Sequence, residues 1–144
     1  MSETAFATRR FSIAFNLGYP SGAGVRAGVS LLPELGIEAR ASTLILYQDY
    51  GLDLVYRPLA SRYNVTPTLR AGMAARQNNL SSWGGPAWIP VPSTGAGVEW
   101  RAQGGFFLGG DLGIAVPITP GDGATLPTTA KVTPNVNFYL GGTF

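Results

Sequence analysis

A chain of 144 residues with ten basic and eight acidic side chains is long enough for one domain and carries a net charge of only +2. This small surplus predicts no nucleic-acid partner, because it supplies no clustered basic face. The absence of Cys and His excludes disulfides, thiolate chemistry, His-metal sites and Ser-His triads. We therefore expect no catalytic residue, no metal and no cofactor. Twenty Gly and eleven Pro without a long helical pattern predict an all-β chain with many turns.

Apolar and polar residues alternate along most of the chain, which is typical of strands with two unlike faces. In chain order the predicted strands cover residues 11–19, 25–31, 37–48, 52–57, 63–76, 96–101, 107–118 and 132–144. The other segments are predicted as an N-terminal tail at 1–8, short turns that include 49–51 and 58–62, and longer loops at 77–93 and 119–129. The whole chain is predicted to form a single β-barrel domain.

Charged residues in the predicted strands lie on the parity opposite the apolar row. They include Arg26, Glu38, Arg40, Asp53, Arg57, Arg70, Glu99, Arg101 and Asp111. Glycines that share this row are Gly18, Gly28, Gly72, Gly97, Gly109, Gly113 and Gly141. Glycine weakens a solvent-facing strand, and 12 % charged residues is sparse for a water-facing surface. We therefore expect the charges to form an ion-pair network in a narrow lumen, with the apolar row facing a lipid bilayer.

Aromatic residues of the apolar row collect at the two ends of the predicted strands. Phe11, Tyr56, Tyr63, Trp100, Phe106 and Phe144 fall at one end, and Tyr19 and Tyr47 fall at the other. Such a distribution predicts two aromatic girdles at membrane–water interfaces. Two further rings, Trp83 and Trp88, lie in the predicted loop 77–93. They are candidate contacts for a surface partner, or they pack onto the barrel mouth.

The last predicted strand ends on its apolar parity with an aromatic residue, and Phe138, Leu140 and Phe144 share that parity. It resembles the closing strand of bacterial outer-membrane β-barrels, in which such residues are recognised by the assembly machinery. As an architecture, the whole chain resembles the small OmpA-like barrels of Gram-negative envelopes. The resemblance implies an eight-stranded antiparallel up-and-down transmembrane β-barrel in the outer membrane. It also implies the lipid bilayer and the assembly machinery as partners.

The N-terminus shows no signal peptide, because residues 1–4 are polar and lack an apolar core. If the protein is exported, we expect this sequence to be a mature form with a new start Met. No apolar run approaches the length of a membrane helix.

Several functions remain open at this point. The first is structural anchoring or surface interaction by a small barrel whose lumen is filled with side chains. The second is a narrow channel or carrier for small or apolar molecules. A soluble lipocalin-like binding barrel, with the apolar row lining a cavity, is the alternative to the membrane barrel. An enzyme is disfavoured, because an ion-pair network explains Glu99 and Asp111 more simply than acid–base chemistry does.

The turn at 58–62 also predicts a register between the fourth and fifth strands. In that register Asp53 lies opposite Thr68 or Arg70 on the inward face. We therefore expect Asp53 and Arg70 to be ion-pair partners.

Overall fold

The computed structural model describes residues 5–19, 22–44, 47–78, 88–118 and 132–144. Within these residues the chain forms one short helix and eight strands. They are α1 (Ala5–Thr8), β1 (Phe11–Tyr19), β2 (Gly22–Ser30), β3 (Leu35–Leu44), β4 (Tyr47–Tyr56), β5 (Val65–Asn78), β6 (Trp88–Arg101), β7 (Phe106–Ala115) and β8 (Thr133–Thr143). None of the described helices is long and apolar enough to span a membrane.

The eight strands form a closed antiparallel barrel in which each strand pairs with its neighbours in the chain. Closure is made by β8, which pairs with β1 from Ser12 opposite Thr143 to Tyr19 opposite Val136. We call the end at which β1 begins and β8 ends the terminal end, and the opposite end the loop end. The terminal end holds the connections at 31–34, 57–64 and 102–105. The predicted all-β eight-stranded barrel is therefore confirmed.

Two prolines inside strands lie where the strand has a neighbour on one side only. Pro67 of β5 precedes Leu69, at which the pairing with β4 begins. The last pair between β1 and β8 is Tyr19 with Val136, and Pro134 of β8 lies beyond it. The missing N–H of a proline is tolerated at such positions, because no second ladder requires it.

The predicted loop at 77–93 is too long, because β5 extends to Asn78 and β6 begins at Trp88. Its Gly, Pro and Ser content favoured a loop. Pro90 and Pro92 nevertheless belong to β6, since their carbonyls accept hydrogen bonds from the backbone N–H groups of Ile118 and Val116 at 3.0 and 2.9 Å. The predicted loop at 119–129 lies outside the described residues.

The predicted turn at 49–51 is wrong, because these residues belong to β4, which begins at Tyr47. The sequence Asp-Tyr-Gly suits a turn, but here Gly51 lies opposite Arg40 within the β3–β4 ladder. The N-terminal tail predicted at 1–8 is also partly structured, since residues 5–8 form α1.

Candidate functional site

The strands place the apolar row on the outside of the barrel and the charged row on the inside. Phe15, near the middle of β1, is 70 % exposed, and its neighbour Ala14 is buried. All nine charged residues predicted for the lumen are buried, with none more than 9 % exposed. The lipocalin-like alternative is therefore wrong, because it requires the apolar row to line the cavity.

Glu38 of β3 is paired with three arginines in the terminal half of the lumen. Its Oε1 accepts a hydrogen bond from Nη2 of Arg57 at 2.8 Å, and its Oε2 accepts one from Nη1 of Arg70. Nη1 of Arg26 lies 3.6 Å from Oε2. Glu38 thereby connects side chains of β2 and β5 with Arg57, which directly follows β4.

Glu99 of β6 forms a second centre beside Glu38. Nε of Arg101 donates a hydrogen bond to its Oε1 at 2.8 Å, and Nε of Arg57 lies 3.3 Å from the same oxygen. The Tyr139 hydroxyl donates a hydrogen bond to Oε2 at 3.1 Å, and Nη2 of Arg70 lies 3.7 Å from it. Arg57 and Arg70 are thus shared between the two glutamates.

Asp111 of β7 extends this cluster toward the loop end. Its Oδ2 lies 3.0 Å from Nε of Arg70 and 3.7 Å from Nη1 of Arg26. Its Oδ1 accepts a hydrogen bond from the amide of Asn137 at 2.9 Å. We call Arg26, Glu38, Arg57, Arg70, Glu99, Arg101 and Asp111 the central cluster.

Two further ion pairs of the lumen lie outside the central cluster. Nε of Arg40 is 3.1 Å from Oδ2 of Asp53. Arg76 forms a bidentate ion pair with Asp49, in which Nε lies 2.8 Å from Oδ1 and Nη2 lies 3.0 Å from Oδ2. The Arg76–Asp49 pair was absent from the predicted network, because Asp49 was assigned to a turn.

The predicted Asp53–Arg70 pair is wrong. Asp53 lies opposite Gly72, and Arg70 lies opposite the buried Val55, so the register differs by two residues from the one that places Asp53 opposite Arg70. The chain between β4 and β5 is longer than the expected turn, running from Arg57 to Asn64 before β5 begins. A two-residue shift keeps both side chains inward but gives each a different partner.

Large inward side chains lie opposite glycines on the adjacent strand. Tyr139 is opposite Gly109, and a Cβ added to Gly109 would overlap the Tyr139 ring. Arg40 is opposite Gly51, where an added Cβ would lie 2.9 Å from Nε of Arg40. This alternation of large and small residues is how a narrow eight-stranded barrel is filled.

The terminal mouth of the lumen is covered by α1. Phe6 is 1 % exposed, and its ring centroid lies 4.4 Å from the guanidinium carbon of Arg101 and 6.0 Å from that of Arg57. The backbone N–H of Ala5 donates to Oδ1 of Asn64 at 3.2 Å. Sequence reasoning missed this contact, because nothing in a short segment before the first strand indicates that it folds under the barrel.

Solved structures with this architecture are known, although no protein-family model and no curated protein matches the sequence. The N-terminal β-barrel domain of Pseudomonas aeruginosa OprF is similar, with a TM-score of 0.71, 17 % identity and coverage of 99 % of this chain and 100 % of that chain. Neisserial surface protein A has a TM-score of 0.59 at 12 % identity, covering 94 % of this chain and 95 % of that one. Acinetobacter baumannii CarO has a TM-score of 0.55 at 9 % identity, with coverages of 94 % and 98 %. All three are eight-stranded outer-membrane barrels. This chain has the outer-membrane barrel fold.

On the outer surface of this outer-membrane barrel fold, aromatic side chains lie at both ends. At the terminal end the exposed rings are Phe11, Tyr56, Tyr63, Trp100, Phe106 and Phe144, of which Trp100 and Phe106 contact edge to face with centroids 6.0 Å apart. At the loop end Tyr19 is exposed. Tyr47 begins β4 instead of ending the preceding strand, and its side chain lies outside the described residues.

The two tryptophans predicted as loop contacts have different outcomes. Trp83 lies outside the described residues. Trp88 belongs to β6, faces outward and packs on Tyr50 with ring centroids 6.0 Å apart. In an outer-membrane barrel fold this pair belongs with the loop-end aromatics, so the assignment of Trp88 to a loop is corrected.

The closing strand of the fold presents Phe138, Leu140 and Phe144 outward. Phe144 is 68 % exposed, and its backbone pairs with Phe11 through hydrogen bonds of 2.8 and 3.2 Å. Two small cavities lie among the inward side chains of the described residues. One of about 20 Å³ lies beside Arg26 and Arg70, and the other, of about 10 Å³, lies beside Asp49 and Arg76.

Proposed function

We propose that this chain is a small integral protein of the bacterial outer membrane, with a closed barrel that anchors it and a structural or surface-interaction role. The observation that carries the proposal is the reversal of the usual soluble pattern. Side chains such as Phe15, Leu52 and Leu112 are exposed around the outside, and the charged residues of the strands are buried inside. An exposed apolar band between two sets of aromatic rings suits the hydrocarbon core and its two interfaces.

The filled lumen supports anchoring over transport. The carboxylate of Glu38 and that of Glu99 each contact Arg57 and Arg70, so charges from several walls of the barrel meet across its interior. An ion entering the barrel would have to separate these pairs. Opening a buried ion pair is costly, because each charge loses its partner in a region of low dielectric.

The lipid bilayer and the outer-membrane assembly machinery are the partners in this proposal. The closing strand β8 offers Phe138, Leu140 and Phe144 on its outward face as the recognition residues. The proposal includes neither an enzymatic activity nor a nucleic-acid partner. Any surface partner would bind at the loop end of the barrel.

A charge placed on the outer face tests the membrane assignment. Phe15→Arg puts a guanidinium near the middle of the apolar band, where it costs about 2–4 kcal/mol in a bilayer. Leu32→Arg, in the exposed turn 31–34, is the matched control. We expect Phe15→Arg, and not Leu32→Arg, to reduce the fraction of purified protein that refolds into phospholipid vesicles. This fraction is measured on an SDS gel, because the folded barrel in an unboiled sample migrates differently from the boiled, unfolded protein.

A membrane barrel and a soluble barrel predict opposite results for Phe15→Arg. In a soluble barrel Phe15→Arg would replace an exposed ring by a charge and improve solubility without detergent. A monodisperse, detergent-free sample of the parent protein, with Phe15→Arg equally well folded, would refute the membrane assignment.

Planar-bilayer recording tests the closed lumen separately. We expect the pure protein to insert without large, steady, ohmic single-channel steps. Steps of that kind from the folded, gel-shifted protein would favour the narrow-channel function and would leave the membrane assignment intact.

A further inference from the structure

The lumen carries one more positive than negative side chain among the described residues. The inward arginines are Arg26, Arg40, Arg57, Arg70, Arg76 and Arg101, and the inward carboxylates are Glu38, Asp49, Asp53, Glu99 and Asp111. Arg76 pairs with Asp49 and Arg40 with Asp53, which leaves four arginines and three carboxylates in the central cluster. The excess charge therefore lies in that cluster.

Arg26 is the central-cluster arginine with the weakest pairing. Its nearest carboxylate oxygens, on Glu38 and Asp111, are 3.6 and 3.7 Å away, whereas Arg57, Arg70 and Arg101 each approach a carboxylate to 3.0 Å or less. Its Nε and Nη1 donate no hydrogen bond within the described residues, although the side chain is only 5 % exposed. A guanidinium keeps its charge, so its buried donors call for an acceptor.

Arg26 lines the cavity of about 20 Å³. Arg40 and Arg70 also line it, together with the carboxylates Asp53 and Asp111. Its other polar lining residues are Ser93, Thr94, Asn135 and Asn137. Asp53 and Asp111 already lie 3.1 and 3.0 Å from Arg40 and Arg70, whereas Arg26 has only its two longer ion pairs, to Glu38 at 3.6 Å and to Asp111 at 3.7 Å.

We propose that this cavity binds a small monovalent inorganic anion, of about the size of chloride, against Arg26. An excess charge in a barrel interior is costly, and one monovalent anion would balance the four arginines and three carboxylates of the central cluster. A volume of this order holds one water-sized particle or little more, so phosphate and organic anions are excluded by size.

Thermal unfolding of the detergent-solubilised protein tests the site. The parent is compared in sodium chloride, sodium bromide and sodium gluconate at one ionic strength, since gluconate is too large for the cavity. We expect both halides to raise the midpoint of unfolding by several degrees, in a saturable manner, because a ligand that binds only the folded state stabilises it.

Two variants separate this site from a general salt effect. Arg26→Met removes the excess charge and keeps an apolar side chain of similar length, and we expect its midpoint to be the same in halide and gluconate. Arg62→Gln, an exposed position in the terminal-end turn, should respond to halide as the parent does. An equal halide response in Arg26→Met and in the parent would overturn the proposal.

Crystals of the parent protein soaked in bromide give a second measurement that does not depend on a variant folding. We expect an anomalous peak within contact distance of Nε or Nη1 of Arg26. Density in the cavity without anomalous signal would mean that water occupies it, and the anion site would be refuted. The membrane assignment is untouched by either result.

Discussion

The hydroxyl of Tyr139 donates a hydrogen bond to Glu99 at 3.1 Å, joining β8 to β6 across the interior of the barrel. The same ring lies beneath two guanidinium groups, with Arg26 at 4.6 Å and Arg70 at 4.9 Å from its centroid. Tyr139 therefore binds the anionic and the cationic parts of the central cluster with different parts of one side chain.

Tyr139→Phe removes the hydrogen bond and keeps the ring, so it isolates the bond to Glu99. We expect a loss of about 1.5–3 kcal/mol in the free energy of unfolding, since the acceptor is a buried carboxylate. Urea unfolding in vesicles, followed by tryptophan fluorescence, measures it. Tyr63→Phe, at an exposed ring of the terminal end, is the control and should change the free energy little. Equal effects of the two variants would mean that the hydrogen bond to Glu99 does not stabilise the barrel.

Gly109→Ala tests the packing of large side chains over glycines. The new Cβ would overlap the ring of Tyr139, so the ring or the strand has to move. We expect a loss of about 1–3 kcal/mol, typical of overpacking. Gly104→Ala is the matched control, because no heavy atom lies within 4 Å of its added Cβ. If Gly109→Ala unfolds at the same urea concentration as Gly104→Ala, the lumen is more loosely filled than these contacts indicate.

Glu38→Gln keeps the shape of the side chain and removes the charge that Arg57 and Arg70 share. We expect it to cost about 3–5 kcal/mol, because two buried guanidinium groups then lose their closest carboxylate. Glu34→Gln, in the turn 31–34, is the control for a charge change outside the lumen. The prediction fails if both variants unfold at the same denaturant concentration.

Phe6→Ala should uncover the terminal mouth of the lumen. Arg57 and Arg101 are 1 % exposed beneath the Phe6 ring, whereas Arg62 is exposed. We expect phenylglyoxal to modify Arg57 and Arg101 much faster in Phe6→Ala than in the parent, with Arg62 reacting equally in both. Mass spectrometry of the digested protein gives the rate at each residue.

Phe6→Leu refines this experiment, because it keeps an apolar side chain and loses the aromatic face. Its modification rate should fall between those of the parent and Phe6→Ala, since contact with a ring stabilises a buried guanidinium by about 0.5–2 kcal/mol. Unchanged protection in all three proteins would mean that other residues seal this end.

Phe144→Ala should reduce assembly in cells more than refolding in vitro. Its side chain is 68 % exposed on the outer surface, and the substitution leaves its backbone bonds to Phe11 in place. The lost apolar contact is worth at most about 2–3 kcal/mol. Leu69→Ala, at an outward position of β5, is the control for loss of an exposed apolar side chain. Equal reductions in the amount of folded protein in cell membranes for both variants would exclude a recognition role for Phe144.

Alternation along each strand determined which side chains face inward, and the sequence alone was enough for that. Successive residues of a strand point to opposite faces, so the parity of Glu38 or Phe15 follows from the neighbouring residues without knowledge of the fold. The closed eight-stranded barrel was predictable for the same reason, because each strand repeats the pattern between turn residues. Strand ends were less certain where residues that favour turns lie inside a strand, as Asp49 and Pro90 do.

Partners in the lumen were decided only by the tertiary structure. Register sets which inward residues are opposite, and a two-residue shift, as between Asp53 and Arg70, leaves the inward and outward pattern unchanged. Closure then brings together residues far apart in sequence, such as Glu99 and Tyr139, at distances that depend on all eight strands. The same holds for Phe6, which has no periodic pattern and is positioned only by the mouth of the finished barrel.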